Sequence, residues 1–238
     1  MRLKPAIDRL PQSWLLVGLI LVSALAWGFI ELADEVAEGA THRYDAYLMR
    51  ALLDITGVAA GTSSPLMGEI MRDTTALGGI AVLGFVVIAV SGFLWLAGKR
   101  RSTVFLLISV ATGLAMSQWF KGLFDRPRPD FITHGSYVHT ASFPSGHSLM
   151  AALVYMTLAV MLARSLKQRA AKVYVTALAI LLALSVGFSR IWLGVHWPTD
   201  VLAGWMLGTG WALACAVLAG WLDRRGVIEP EEGAPPAR

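Results

Sequence analysis

Cysteine and charge are both scarce in this chain of 238 residues, and each shortage closes off a class of protein. The one cysteine, Cys215, has no partner for an intrachain disulfide, so a disulfide-stapled secreted scaffold is excluded. Its place within an apolar run reads as packing. Charged residues make up 15% against 56% hydrophobic, too few for the surface of an ordinary soluble domain. Internal repeats, low-complexity tracts and a separate soluble domain are all lacking. So is paired metal-ligand spacing: His134, His139, His147 and His196 stand apart, with no cysteine beside them, and no metal or other cofactor is expected.

What is there is a polytopic membrane pattern. Six apolar runs, at 14–30, 76–97, 103–120, 148–163, 173–188 and 201–222, are separated by short charged segments. They predict an all-α bundle of six spanning helices in a single membrane-embedded domain. A bilayer core of ~30 Å asks for roughly 20 residues, which the second and sixth runs meet comfortably. The fourth and fifth are short, and this suggests ends that meet a polar site recessed into one membrane face. The first run, after Arg2, Lys4 and Arg9, also has features of a secretory signal, with Ala24-Leu25-Ala26 resembling a cleavage site. Its length favours retention as a helix.

The net charge of +4 is not gathered into a nucleic-acid patch, and no nucleic-acid partner is expected. Lys and Arg instead cluster at the N-terminus, at 98–102, at 164–172 and at Arg224-Arg225. With six spans these four segments share one side, the cytoplasmic one, so both termini face inward. The basic inner loops and short soluble segments read as a bacterial inner-membrane protein. Segments 31–75, 121–147 and 189–200 then face outward, and 223–238 reads as a disordered cytoplasmic tail. Within 31–75, Tyr44, Tyr47, Leu48, Ala51, Leu52 and Ile55 recur at helical spacing, with Arg43, Asp45, Arg50 and Asp54 opposite. That is an amphipathic helix, lying in the outer interface or packed as a lid on the bundle. A second short helix is predicted to start near Ser64-Pro65. Gly204 and Gly208 form a GxxxG pair whose ordinary meaning is close helix packing, with a homodimer as the alternative.

The residues able to do chemistry fall in the outward segments. Lys121, Arg126 and Arg128 oppose the inward bias of the other cations, which calls for an anionic partner. Arginine can grip a phosphate with two parallel donors while lysine acts as a point charge. The Phe143-Pro144-Ser145-Gly146-His147 stretch opens an apolar run, and free N–H groups with the helix dipole welcome an anion there. By itself it also fits a simple N-cap with an incidental histidine. In the third cluster Arg190 adds a cation, and Asp200 stands four residues after His196, close enough to set its tautomer. A helix cap would use the same pair. Asp125, Arg126 and Asp130 read as loop salt bridges, and His134 and His139 as exposed loop residues.

Together the clusters read Lys-x6-Arg-Pro, then Pro-Ser-Gly-His, then Ser-Arg-x5-His-x3-Asp. In this the chain resembles the type 2 phosphatidic acid phosphatase (PAP2) family, whose phosphate site is shared with bacterial non-specific acid phosphatases and vanadium haloperoxidases. The resemblance covers roughly residues 75–222. It implies that His196 is a nucleophile forming a phosphohistidine and that Asp200 orients it. It makes His147 the acid for the leaving oxygen and then the base for water. Lys121, Arg128 and Arg190 would hold phosphoryl oxygens, with Ser145 and the Gly146 N–H as further donors. Pro129, Pro144 and Ser189 belong to the pattern as supporting residues. The implied activity is metal-independent hydrolysis of a membrane-lipid phosphate or diphosphate, such as undecaprenyl diphosphate, phosphatidic acid, phosphatidylglycerophosphate or a lipid A phosphate. A phosphotransferase using the same phosphohistidine and a non-catalytic binder or transporter of phosphate lipids are the alternatives.

Overall fold

The computed structural model describes residues 13–58, 60–131 and 141–224, all helix and connecting turns. His134, His139 and the 225–238 part of the tail lie outside the described residues. The helices run α1 (Ser13–Ala37), α2 (His42–Ile55), α3 (Pro65–Ala76), α4 (Ile80–Leu96), α5 (Arg100–Leu123), α6 (Gly146–Ser165), α7 (Arg169–Trp192) and α8 (Pro198–Arg224). Five of them are long and apolar enough to cross a bilayer, and α3 with α4, bent by 45° at their break, gives a sixth when the pair is counted as one span.

The six-span reading therefore holds, but two of its details change. The second span is a broken helix. Ser64 is the N-cap of α3 with Pro65 in its first turn, as the Ser-Pro pair predicts. The chain then turns at 77–79, and a Cβ at Gly78 would come 2.4 Å from Val186 Cγ1 and 3.2 Å from the His147 carbonyl. That close approach brings the break against the start of α6 and the end of α7. The fourth and fifth spans are not short, because α6 and α7 are helices of 20 and 24 residues. Apolar run length understated them, since α7 continues through Ser189 and Arg190, polar residues that face the protein interior.

Helix α6 is the centre of the bundle and packs chiefly on α7 and α8. Gly204 and Gly208 make the α6–α8 contact close enough to need glycine. A Cβ at Gly204 would lie 2.7 Å from the Ser145 carbonyl, and one at Gly208 2.3 Å from that of Leu149. The GxxxG pair is thus spent inside the chain and supplies no face for a second copy. Helix α1 packs along α8, and its Phe29, Ala33 and Val36 form a cluster with Phe143 and Ala203. The first apolar run contributes Phe29 to this core and is otherwise mostly exposed. Exposed Ile20, Phe85, Ile88 and Phe93 mark the lipid-facing surface.

Helix α2 packs on the bundle through one face only. Met49 and Leu53 are buried against Trp197, while Tyr44, Tyr47, Leu48 and Ile55 remain outside. The polar face expected at Asp45 is instead the face that docks, because Asp45 has partners within the bundle. A cavity of about 460 Å³ lies among α4, α5, α6 and α8, lined by Lys99, Thr157, Arg164 and Cys215. It is at the opposite end of these helices from the two histidines.

Candidate active site

One end of the bundle gathers the three sequence clusters. Lys121 is in the last turn of α5, Gly146 and His147 open α6, Arg190 is in the last turn of α7, and Asp200 is in the first turn of α8. Gly194, with φ at 69°, follows Leu193 at the end of α7 and reverses the chain toward His196. His196 is buried, 1% exposed, and Asp200 is wholly buried.

The imidazole of His196 is held between opposite charges. Nδ1 lies 3.4 Å from Asp200 Oδ2 and has no other partner among the described residues. Nε2 lies 3.2 Å from Arg128 Nη1, and that nitrogen also donates to the Val195 carbonyl at 2.7 Å. A guanidinium has donors only, so Nε2 facing it must present a lone pair. The proton of the neutral ring then sits on Nδ1, toward Asp200. Burial pushes the His196 pKa down to about 4, against the pull of Asp200 and with the help of Arg190 and Arg128. The ring is neutral at pH 7. Burial likewise lowers the Arg128 pKa, with Asp200 opposing, yet a guanidinium so placed remains charged.

The other cations converge on the same space. A Cβ at Gly146 would lie 3.4 Å from Lys121 Nζ, so the ammonium abuts the first turn of α6. Arg190 Nη1 donates to Thr75 Oγ1 at 3.0 Å, and its Nε is buried without a partner among the described residues. An orphan donor of this kind is costly unless an anion fills the site. His147 lies within electrostatic reach of Arg190, His196, Lys121 and Arg128. At the start of α6, Ser145 Oγ accepts from the Ser148 N–H at 3.4 Å and from the Ser148 hydroxyl at 2.9 Å. Ser145 is therefore the N-cap, and its backbone N–H is taken by the Asp200 carbonyl at 2.9 Å. Its own hydroxyl hydrogen is used in neither accepted bond. The N–H groups of Gly146 and His147 have no acceptor among the described residues.

Supporting residues take ordinary structural parts. The Ser189 hydroxyl donates to the Val186 carbonyl at 2.6 Å, and Pro129 and Pro144 are buried. Among the described residues no group of three His, Cys, Asp or Glu side chains has a metal-binding arrangement.

Sequence reasoning misplaced Arg126. Rather than a loop salt bridge, it is a fork between two buried carboxylates, Asp45 Oδ2 and Asp200 Oδ1, each at 2.6 Å. Asp125 and Asp130, grouped with it in the sequence, are exposed and pair with no cation among the described residues. The signal that could have marked Arg126 is faint. Asp45 is the one acidic residue in the first turn of α2, but nothing local ties it to a loop 81 positions away.

Three motifs on one bundle end, around a neutral histidine facing cations, have a counterpart among known proteins. The PAP2 superfamily model matches residues 102–224. The chain belongs to the PAP2 superfamily. Phosphatidylglycerophosphatase B of Bacillus subtilis is 32% identical over 203 residues, covering 83% of this chain and 89% of that one. An undecaprenyl-diphosphatase of Sulfolobus acidocaldarius is 32% identical over 46% of this chain and 52% of its own. The crystal structure of a transmembrane PAP2 type phosphatidylglycerolphosphate phosphatase from Bacillus subtilis superposes with a TM-score of 0.74. It shares 28% identity and is matched over 84% of this chain and 96% of that one. This PAP2 chain is an integral membrane lipid phosphatase, a hydrolase of phosphate esters. Its α1 and α2 fall outside the family match, although α2 touches the site.

Proposed function

We propose that this end of the bundle hydrolyses a membrane-lipid phosphate through a phosphohistidine on His196. The observation that carries the reading is the Nε2 lone pair of His196, facing Arg128 with Lys121 and Arg190 close by, and Asp200 behind Nδ1. Nε2 attacks phosphorus, and the bond from phosphorus to the lipid oxygen breaks as His147 delivers a proton to that oxygen. Water then attacks the phosphohistidine, giving its proton back to His147, and inorganic phosphate leaves. Asp200 offsets the positive charge that His196 gains in the intermediate. Phosphoryl transfer asks mainly for stabilisation of the equatorial oxygens, and Lys121, Arg128, Arg190 and the Gly146 N–H are disposed to supply it.

The site faces the exterior, because the basic 98–102 and 164–172 loops sit at the opposite end of the helices. The lipid tail stays in the bilayer while the headgroup reaches the charged centre. The substrate is a phosphatidylglycerophosphate or a prenyl diphosphate, the classes named for the relatives. Phosphate release from a panel of both, together with phosphatidic acid and a lipid A 1-phosphate, in the presence of EDTA and with His196→Ala as blank, tests this. No release above the blank from any of the four overturns it. A second lipid bearing a free hydroxyl in the same assay separates hydrolysis from phosphoryl transfer by its product.

A further inference from the structure

Asp200 is held at both oxygens. Its Oδ2 accepts the Trp197 backbone N–H at 2.9 Å and faces His196, while Oδ1 accepts Arg126 Nη1 at 2.6 Å. The contact from Oδ2 to His196 is 3.4 Å, so the orientation of this carboxylate depends on its stronger partner, Arg126. Arg126 is itself pinned. Its other nitrogen, Nη2, donates to Asp45 Oδ2 at 2.6 Å and to Thr41 Oγ1 at 3.2 Å, and its guanidinium lies over the Trp197 ring at 5.6 Å.

The third member of the network is Thr199. Its hydroxyl donates to Asp45 Oδ2 at 2.6 Å and accepts from Arg126 Nη1 at 2.8 Å. Its backbone N–H donates to Asp45 Oδ1 at 3.0 Å. Asp45, on α2, thus also takes up an N–H from the first turn of α8, the turn that carries Asp200. Both carboxylates are wholly buried and share one guanidinium. Without that cation the two like charges would repel, and Asp200 would lose the partner that fixes its orientation.

We propose that Arg126 and Asp45 are positioning residues of the phosphoryl-transfer centre: Arg126 holds Asp200 toward His196, and Asp45 holds Arg126. Helix α2, whose other face presents Tyr44, Tyr47, Leu48 and Ile55 outward, is then a working part of the site. The inference rests on His196 being the nucleophile. Arg126 and Asp45 bond to Thr41, Thr199, Asp200 and each other, and both act on His196 only through Asp200. Their loss therefore slows the chemical step and leaves substrate binding alone.

The test uses the full chain in one detergent with dioctanoyl phosphatidylglycerophosphate in mixed micelles. It compares the wild type with Asp45→Asn, Arg126→Gln, Arg126→Lys and Thr199→Val, and with Asp54→Asn as a control on the exposed side of α2. Steady-state kcat and KM are measured beside the rate of phosphohistidine formation after an alkaline quench. Asp45→Asn and Arg126→Gln are expected to lower kcat and the phosphorylation rate by about 10–100-fold, with KM held within roughly two-fold. Arg126→Lys, which cannot bridge two carboxylates, recovers part of this loss, and Asp54→Asn matches the wild type. Thr199→Val keeps every charge and removes one bridging hydroxyl, so its kcat falls several-fold even where a charge variant fails to fold. Unchanged kcat in the folded variants, or a rise in KM with kcat unchanged, overturns the proposal. Absence of a phosphohistidine in the wild type is a different result, and it strikes the nucleophile reading instead.

Discussion

Arg128 Nη1 lies 3.2 Å from His196 Nε2, and this contact decides which ring nitrogen can act. A donor cannot face a protonated nitrogen at that distance without repulsion, so the lone pair points toward the cations. In the proposed mechanism this is the nitrogen that attacks the phosphoryl group.

Arg128 serves the Val195 carbonyl and the space before Nε2 with one planar group. Lysine has the charge without the fork. Arg128→Lys is expected to lower kcat/KM by about 10²-fold, in the range for losing one oriented donor to a developing charge. Steady-state phosphate release checks it, and activity within two-fold of wild type would show that charge alone is enough.

His196→Ala should abolish turnover and the trapped phosphohistidine. His147→Ala should retain labelling on a substrate with a good leaving group. A general acid contributes about 10²–10⁴-fold. The loss at His147 is therefore expected to be large on a lipid phosphate and small on p-nitrophenyl phosphate. Equal losses on both would remove the acid role from His147.

The depressed His196 pKa also predicts how stability depends on pH. Its folded value is about 4 against 6.5 for the unconstrained side chain, so the unfolded chain binds the extra proton between these limits. The contribution is complete above pH 6.5 and is lost as pH falls toward 4, amounting to ~3 kcal/mol if the whole shift is realised. Thermal unfolding in detergent at pH 7 and at pH 4.5 should show a fall in Tm that His196→Gln reduces. A fall of the same size in the variant would assign the acid sensitivity to other groups.

Gly208 has no room for a side chain, with a Cβ position 2.3 Å from the Leu149 carbonyl. Gly208→Ala is expected to destabilise by about 1–3 kcal/mol, as over-packing does, because backbone cannot move aside as a side chain can. Thermal unfolding measures the loss, and size-exclusion mass in detergent should be unchanged. A change of mass with stability intact would place the pair at an interface between copies.

Much of this protein is legible along the chain because its constraints are local or periodic. Long apolar runs must become helices where no water satisfies the backbone, so the spans follow from hydropathy. Ser64-Pro65 marks a helix start by its own conformational preference, and it is one. The six-span count and the three charged motifs needed no tertiary information. Helix ends were less legible: Ser189 and Arg190 fall past the last residue of the fifth apolar run, yet α7 includes both and buries Ser189.

Tertiary structure alone decided the rest. Arg126 and Arg128 stand two apart in one proline-rich loop, with the same chemistry and the same local setting. Folding turns Arg128 toward His196 Nε2 and Arg126 toward Asp200 Oδ1, in front of and behind the same histidine–carboxylate pair. Asp45 reads as the solvated side of an amphipathic helix, yet it is wholly buried. Amphipathic periodicity sorts residues by affinity for water and is blind to a buried partner of opposite charge. That partner makes burial of Asp45 tolerable, and it comes from a loop brought close only by packing α2 over the start of α8. The residue types and their spacing determined which charged groups and histidines are present; the long-range pairing of charges determined which cation faces His196 and which holds Asp200.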